Sequence, residues 1–242
     1  MEPVFSVRIE AQPLDTKTEF GAPESAFGKT NYPVLWKADK NAYFSLDGAT
    51  FVSSTPNPSA DYKTASFEIG FATEPKAEGG IIYGFSPAGS SSPETGGFTA
   101  ITKSEGFASL VVPVNQTPLA GSVDPSSQAI FGSTAYPSGG VPDNLSMNFS
   151  HALAYGRMTI SNYGGGNDIA WISITFPMAV AGNSCKYYFE DNGDKLAGNV
   201  YNASSKTIKL DPQNAVDKTF WFSVVPTGTI DSGEIVVIVA KA

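Results

Sequence analysis

Large apolar residues alternate with Ser, Asn and Thr over the stretch from Leu145 to Phe176. The order is Leu145-Ser-Met147-Asn-Phe149-Ser-His151-Ala-Leu153, then Met158-Thr-Ile160-Ser, then Ile172-Ser-Ile174-Thr-Phe176. A two-residue period belongs to a strand with one face buried and the other in water. Asn162-Tyr-Gly164-Gly-Gly166-Asn167-Asp168 separates the second run from the third, and such residues tolerate the positive φ of a tight turn. The pattern predicts three consecutive strands opening a meander. Its apolar face needs a second layer to cover it.

The same period recurs along the chain. Phe5, Val7 and Ile9 share one side of a first strand, and Ala65-Ser-Phe67-Glu-Ile69-Gly-Phe71 alternates without a break. Ile81-Ile82-Tyr83-Gly-Phe85 is apolar on both faces, as a central strand would be. Asp47-Gly48 between apolar runs is a hairpin signal. Ser109–Val112, Lys206–Leu210, Phe220–Val225 and Ile235–Val239 supply further strands, the last after a turn at Asp231-Ser-Gly233. No helical apolar period extends beyond about two turns. Between Asn115 and Asn144 the composition shifts to Pro, Ser, Gly, Ala and Asp, the mark of a crossover between domains. The expected organisation is all-β, with antiparallel sandwich domains over residues 1–115 and 116–242.

Composition narrows the function classes. Of 242 residues, 41% are hydrophobic, enough for a real core, and only 16% are charged. A net charge of −8 with no Lys/Arg cluster opposes binding to nucleic acid and to an anionic membrane surface. Cys185 is the single cysteine, so no intramolecular disulfide forms, and it reads as a small buried residue. No apolar run approaches the length of about 18 that spans a bilayer. Met1 leads directly through Glu2-Pro3 into a strand-like run, so the expectation is an exported protein whose targeting segment is absent from this chain.

Candidate chemistry is sparse. His151, the one histidine, sits in a strand pattern with no nucleophile elbow nearby; Gly84-Phe-Ser86-Pro-Ala88 lacks the second glycine. Glu190-Asp-Asn192-Gly193-Asp194 has oxygen ligands for calcium, but as an Asn-Gly turn it needs no metal. Acidic pairs for glycoside hydrolysis leave no local signature. No catalytic residue, cofactor or metal is expected. Tyr163, Trp171, Tyr187, Tyr188 and Tyr201 are candidates for a sugar-stacking platform, although most such residues in a sandwich are core or cross-strand pairs. The remaining chemistry is that of the backbone, because an uncovered strand edge offers unpaired N–H and C=O groups to another chain. The first and last strands lie at the chain ends, which makes Phe5, Val7, Arg8, Ile9, Ile235, Val237 and Val239 the expected strand-exchange residues.

A set of short motifs runs the length of the chain: Thr16-Lys17-Thr18, Trp36-Lys-Ala-Asp39, Ala65-Ser-Phe67 and Tyr83-Gly-Phe85-Ser86-Pro87. Val112-Pro113-Val-Asn-Gln116, Asp124-Pro125, Phe149-Ser-His151-Ala-Leu153, Leu196-Ala197-Gly198 and Phe222-Ser-Val-Val225-Pro226 follow. Their order resembles the fimbrillin-like proteins of Bacteroidetes, the major and minor fimbrial subunit group. The resemblance implies two transthyretin-like β-sandwich domains in tandem and export as a lipoprotein to the outer-membrane cell surface. It also implies assembly by strand exchange after proteolysis exposes a groove. The sequence departs from that pattern in lacking a lipid-bearing cysteine at its start and in having only Arg8 and Arg157, of which Arg8 lies where a cut would release the first strand. The expected function is a non-enzymatic fimbrial or adhesion subunit with other subunits or surface proteins as partners. The alternative is a carbohydrate-binding surface lipoprotein with glycans as partners.

Overall fold

The alternation of Ala65-Ser-Phe67-Glu-Ile69-Gly-Phe71 passes directly into burial. Ala65, Phe67, Ile69 and Phe71 are buried, while Glu68 and Gly70 face water. The computed structural model describes residues 5–13, 24–26, 29–31, 35–36, 38, 41–48, 50–87, 98–102, 107–119, 122–160, 169–188, 202–211, 219–226 and 233–241. In chain order the strands are β1 (Phe5–Pro13), β2 (Glu24–Ala26), β3 (Lys29–Asn31), β4 (Ala42–Ser45), β5 (Val52–Ser54), β6 (Asn57–Pro58), β7 (Ala65–Phe71), β8 (Gly80–Pro87), β9 (Phe98–Thr102), β10 (Phe107–Val111) and β11 (Asn115–Gln116). A single 3₁₀ turn, Pro125–Ser127, precedes β12 (Ala129–Tyr136), β13 (Asn144–His151), β14 (Ala154–Thr159), β15 (Ile169–Thr175), β16 (Ser184–Tyr188), β17 (Thr207–Leu210), β18 (Thr219–Val224) and β19 (Val236–Lys241). The fold is all-β, and among the described residues there is no α-helix.

The largest sheet has eight strands in the order β5-β4-β8-β12-β13-β1-β7-β6. It curls until its two ends meet. β5 and β6 are separated by only Thr55 and Pro56, and the Ser54 hydroxyl donates to the Glu68 carbonyl on β7 at 2.8 Å. Curling a sheet onto itself leaves few strand edges open. The enclosed core holds Val7, Ile9, Phe44, Phe67, Ile82, Ile130 and Phe149 around Trp36. The Trp36 ring meets Phe67 and Phe149 edge-on, at 5.2 and 5.4 Å.

β4, Ile82–Ser86 of β8 and the first three residues of β12 are buried on both faces; for β8 the apolar run Ile81–Phe85 predicted it. Tyr43, Phe85 and Phe131 form a cross-strand row on the outer face of the curl. They belong to a second core that includes Leu110, Ile172, Ile174, Ile208, Leu210 and Phe220. The smaller sheets cover this face: β16-β10-β9, β11-β17-β15-β19 and the pair β14-β18. On the inner face, the neighbouring row runs Phe44, Gly84, Gly132, Phe149. The two glycines make room there. A Cβ on Gly84 would run into Met147 Sδ, and one on Gly132 would lie 2.5 Å from the Asn148 carbonyl oxygen.

Two expectations change. The runs beginning at Leu145, Met158 and Ile172 fall in β13, β14 and β15 but form no meander: β13 lies in the curled sheet, β14 pairs with β18, and β15 pairs with β17 and β19. A two-residue period fixes which face a strand buries and says nothing of its neighbour. Ala152 and Leu153, both buried, turn the chain from one layer to the next, and the Ala152 amide donates to the Ala129 carbonyl at 2.9 Å. The stretch read as a crossover contains β12, a central strand whose Ile130, Phe131 and Tyr136 are buried. Its Gly-Ser-Thr-Ala run hid it: Gly132 is small where the Asn148 backbone and Met147 come close, and Ser133, Thr134 and Ala135 are not buried. The curled sheet draws strands from both sides of residue 115.

The start of β12 is tied to the outer layer by a buried polar knot. Gln116 Nε2 donates to the Ser223 carbonyl at 2.8 Å, and the Ser223 amide donates back to Gln116 Oε1 at 2.9 Å. The Ser127 and Ser223 hydroxyls share a 2.8 Å bond, and the Thr117 amide donates to Asp124 Oδ2 at 2.7 Å. Satisfied buried polar groups of this kind fix one arrangement of layers, since a slipped one would leave them unpaired.

Gly132→Ala should lower stability by about 1–3 kcal/mol, since its Cβ meets a backbone oxygen that cannot swing away. Chemical denaturation would show this as a lower midpoint with an unchanged slope. An unchanged midpoint would contradict the packing described.

Candidate assembly strand

β19 is the edge of its sheet. It pairs with β15 alone, Val236 opposite Thr175 through Ala240 opposite Trp171, and no described strand pairs with its other side. Six large hydrophobic residues are exposed among the described residues, and four of them are consecutive here: Ile235 at 50%, Val236 at 45%, Val237 at 42% and Ile238 at 53%. The residues exposed on both faces lie at the start of the strand. Val239 and Ala240 are half-buried, and Val239 packs on the outer core. β-Branched residues favour extended backbone, so the segment stays a strand although little packs against it. An open, apolar, β-branched edge is a template for pairing with another chain.

β1 differs in every respect. It lies inside the curled sheet, parallel to β13 on one side and antiparallel to β7 on the other. Val7, Ile9 and Ala11 are buried in the inner core, and Phe5 packs beside it with its ring 6.4 Å from that of Phe71. Arg8 and Glu10 alternate with them on the solvent side. Arg8 lies 3.8 Å from Glu68 and 3.9 Å from Glu10, contacts too long and exposed to add much stability. Of the expected exchange residues, Ile235, Val237 and Val239 are therefore in or beside an open edge, whereas Phe5, Val7, Arg8 and Ile9 are in an interior strand. Val236 and Ile238, exposed on the opposite face of β19, were not among the expected residues. Treating the last strand as one-sided hid them, although an unbroken apolar run was already a signal for two faces.

The remaining candidates disperse. His151 is half-buried with its ring edge-on to Tyr155 at 4.7 Å. Cys185 is fully buried, and burial pushes its thiol up, which suppresses the reactive thiolate. Trp171 is half-buried, with Lys209 Nζ 5.0 Å from its ring centre. Tyr163, Tyr201, the Glu190–Asp194 turn and the Asn162–Asp168 loop lie outside the described residues, and Tyr187 and Tyr188 contribute backbone to β16. Among the described residues no group of three or more His, Cys, Asp or Glu side chains could hold a metal ion, and no helix is long and apolar enough to cross a membrane.

No family model matches the chain, and no curated protein does. A solved structure from Bacteroides ovatus ATCC 8483, named as that of a "putative cell adhesion protein", aligns over 97% of this chain and 86% of its own. The TM-score is 0.53 and the identity 11%. That likeness establishes a shared fold alone.

The two strands should respond oppositely to substitution. Ile9→Ala should cost about 2–5 kcal/mol, as for a buried large-to-small change. Ile238→Lys should shift stability by no more than about 0.5 kcal/mol, as at an exposed site. Thermal or denaturant melts of the two variants would check this, and equal losses would contradict the assigned burial.

Proposed function

We propose that this protein is a non-enzymatic cell-surface adhesion or fimbrial subunit that joins partners through strand edges. The observation that carries the reading is the open edge of β19, with four consecutive exposed apolar residues ahead of its packed end. Covering four half-exposed side chains offers on the order of 3–6 kcal/mol before docking costs are subtracted. Main-chain hydrogen bonds along the free edge would add register. The fold shared with a protein named for adhesion supports the same reading.

The finer reading is a fimbrillin-like subunit with two transthyretin-like domains, exported as an outer-membrane lipoprotein. In that reading β19 of one copy fills the groove that β1 leaves in the next. The side-chain pattern supports the exchange. β1 buries Val7, Ile9 and Ala11 at alternate positions, and the exposed Ile235 and Val237 repeat that period ahead of Val239, which leaves its own outer core on exchange. Release of β1 by a cut at Arg8 requires local opening first, because the strand is paired on both sides and a protease needs an extended, unpaired chain.

The test is a chain lacking residues 1–13, followed by sedimentation with and without a synthetic peptide of residues 4–13. The expected result is oligomers that the peptide returns to monomer and that Val237→Asp with Val239→Asp abolishes. A folded monomer without the peptide would refute strand exchange, as would an unfolded chain that the peptide does not rescue.

A further inference from the structure

We infer that the outward face of the β11-β17-β15 sheet carries a binding site for one neutral hexose unit of a glycan. The inward face of this sheet is packed: Ile172, Ile174, Ile208, Leu210 and Gln116 are buried. Strand alternation therefore turns Asn115, Thr117, Lys209, Asp211 and Trp171 to the other side. These five border an open cleft of about 280 Å³.

Three features of the cleft select the ligand class. First, its floor includes an indole. Trp36 and Trp221 are buried in the cores, at 1% and 6% exposure, while Trp171 is the half-exposed tryptophan. The Lys209 ammonium stands over the Trp171 ring, 5.0 Å from its centre, so a pyranose reaches that face by displacing this solvent-exposed, flexible side chain. An aromatic face receives the C–H face of a pyranose as it receives other weakly polar or cationic groups. Second, the rim mixes donors and acceptors. Lys209 only donates, Asp211 only accepts, and Asn115 and Thr117 do both. A ring of hydroxyl groups, each donor and acceptor, is matched by such a rim. Third, Lys209 and Asp211 bring opposite charges, so the cleft has no surplus cation to select a carboxylate, sulfate or phosphate. The net charge of −8 works in the same direction. The volume lies just under the range of about 300–1,000 Å³ for drug-sized ligands, which fits a single sugar ring and excludes a buried chain of several.

This site stands apart from the strand-assembly reading. Its residues lie in or beside β11, β15 and β17, away from the free edge of β19. Either can fail without the other.

Saturation-transfer NMR on the intact chain tests it, with methyl glycosides of glucose, galactose, mannose and N-acetylglucosamine as probes and glucuronate as the anionic comparison. At least one neutral glycoside should bind in the millimolar range. Trp171→Ala should weaken that binding at least about tenfold, and Trp171→Phe should retain part of it. Asn115→Ala with Thr117→Ala, both at exposed positions, should weaken it while the melting temperature stays put. The inference is overturned if none of the four glycosides receives saturation, if glucuronate alone does, or if the exposed double variant and Trp171→Phe both bind as the parent chain does.

Discussion

A buried sheet must satisfy every backbone N–H and C=O it removes from water, and this chain does so unevenly. The eight-stranded sheet meets the requirement by curling until β5 and β6 sit beside β7, which places Trp36 and its ring neighbours in an enclosed core. Closure depends on β1, the strand that joins β13 to β7. Without it the curl would open along two edges and expose Phe67, Ile69, Met147 and Phe149. The four-stranded outer sheet has no such closure among the described residues, and no described strand covers the far side of β19. The contrast between a sealed strand near one end of the chain and an unsealed one near the other is the physical basis of the functional reading.

The two parts are not independent layers placed side by side. β4, β8 and β12 carry Tyr43, Phe85 and Phe131 on one face and Phe44, Ile82 and Ile130 on the other, so one set of strands closes the inner core and floors the outer one. The Gln116–Ser223–Ser127 knot then fixes how the outer layer sits on that floor. Apolar burial supplies most of the stability, while directional hydrogen bonds select one arrangement among many that would bury similar area. Gly84 and Gly132 belong to the same scheme, since a side chain at Gly84 would collide with Met147 and Phe149, which fill the inner core, and one at Gly132 with the Asn148 backbone and Met147.

Much of this was legible in the sequence. Alternation at Phe5–Ala11, Ala65–Phe71 and Lys206–Leu210 gave strand and face together, and two-sided apolarity at Ile81–Phe85 marked a central strand. The Asp47-Gly48 turn joins β4 to β5, with Gly48 at φ 70°. Pairing was not legible. β1 lies parallel to β13, some 130 residues away, and no local feature encodes a partner that remote. β12 escaped because its inner face is partly glycine. The strand-edge idea reached the last strand through its position at the chain end, but position alone did not reveal that the first is paired on both sides. A terminal strand is an edge only if topology leaves it one, and β1 is sealed by segments that arrive later in the chain.

Hydrogen exchange read residue by residue on the full chain tests the central contrast most directly, because it reports which amides are sealed. The account predicts that amides of residues 5–11 exchange as slowly as those of β8 and β12, while amides facing the free side of β19 exchange early. Exchange of β1 as fast as that of the β19 edge, or protection along both sides of β19 in the isolated chain, would contradict it.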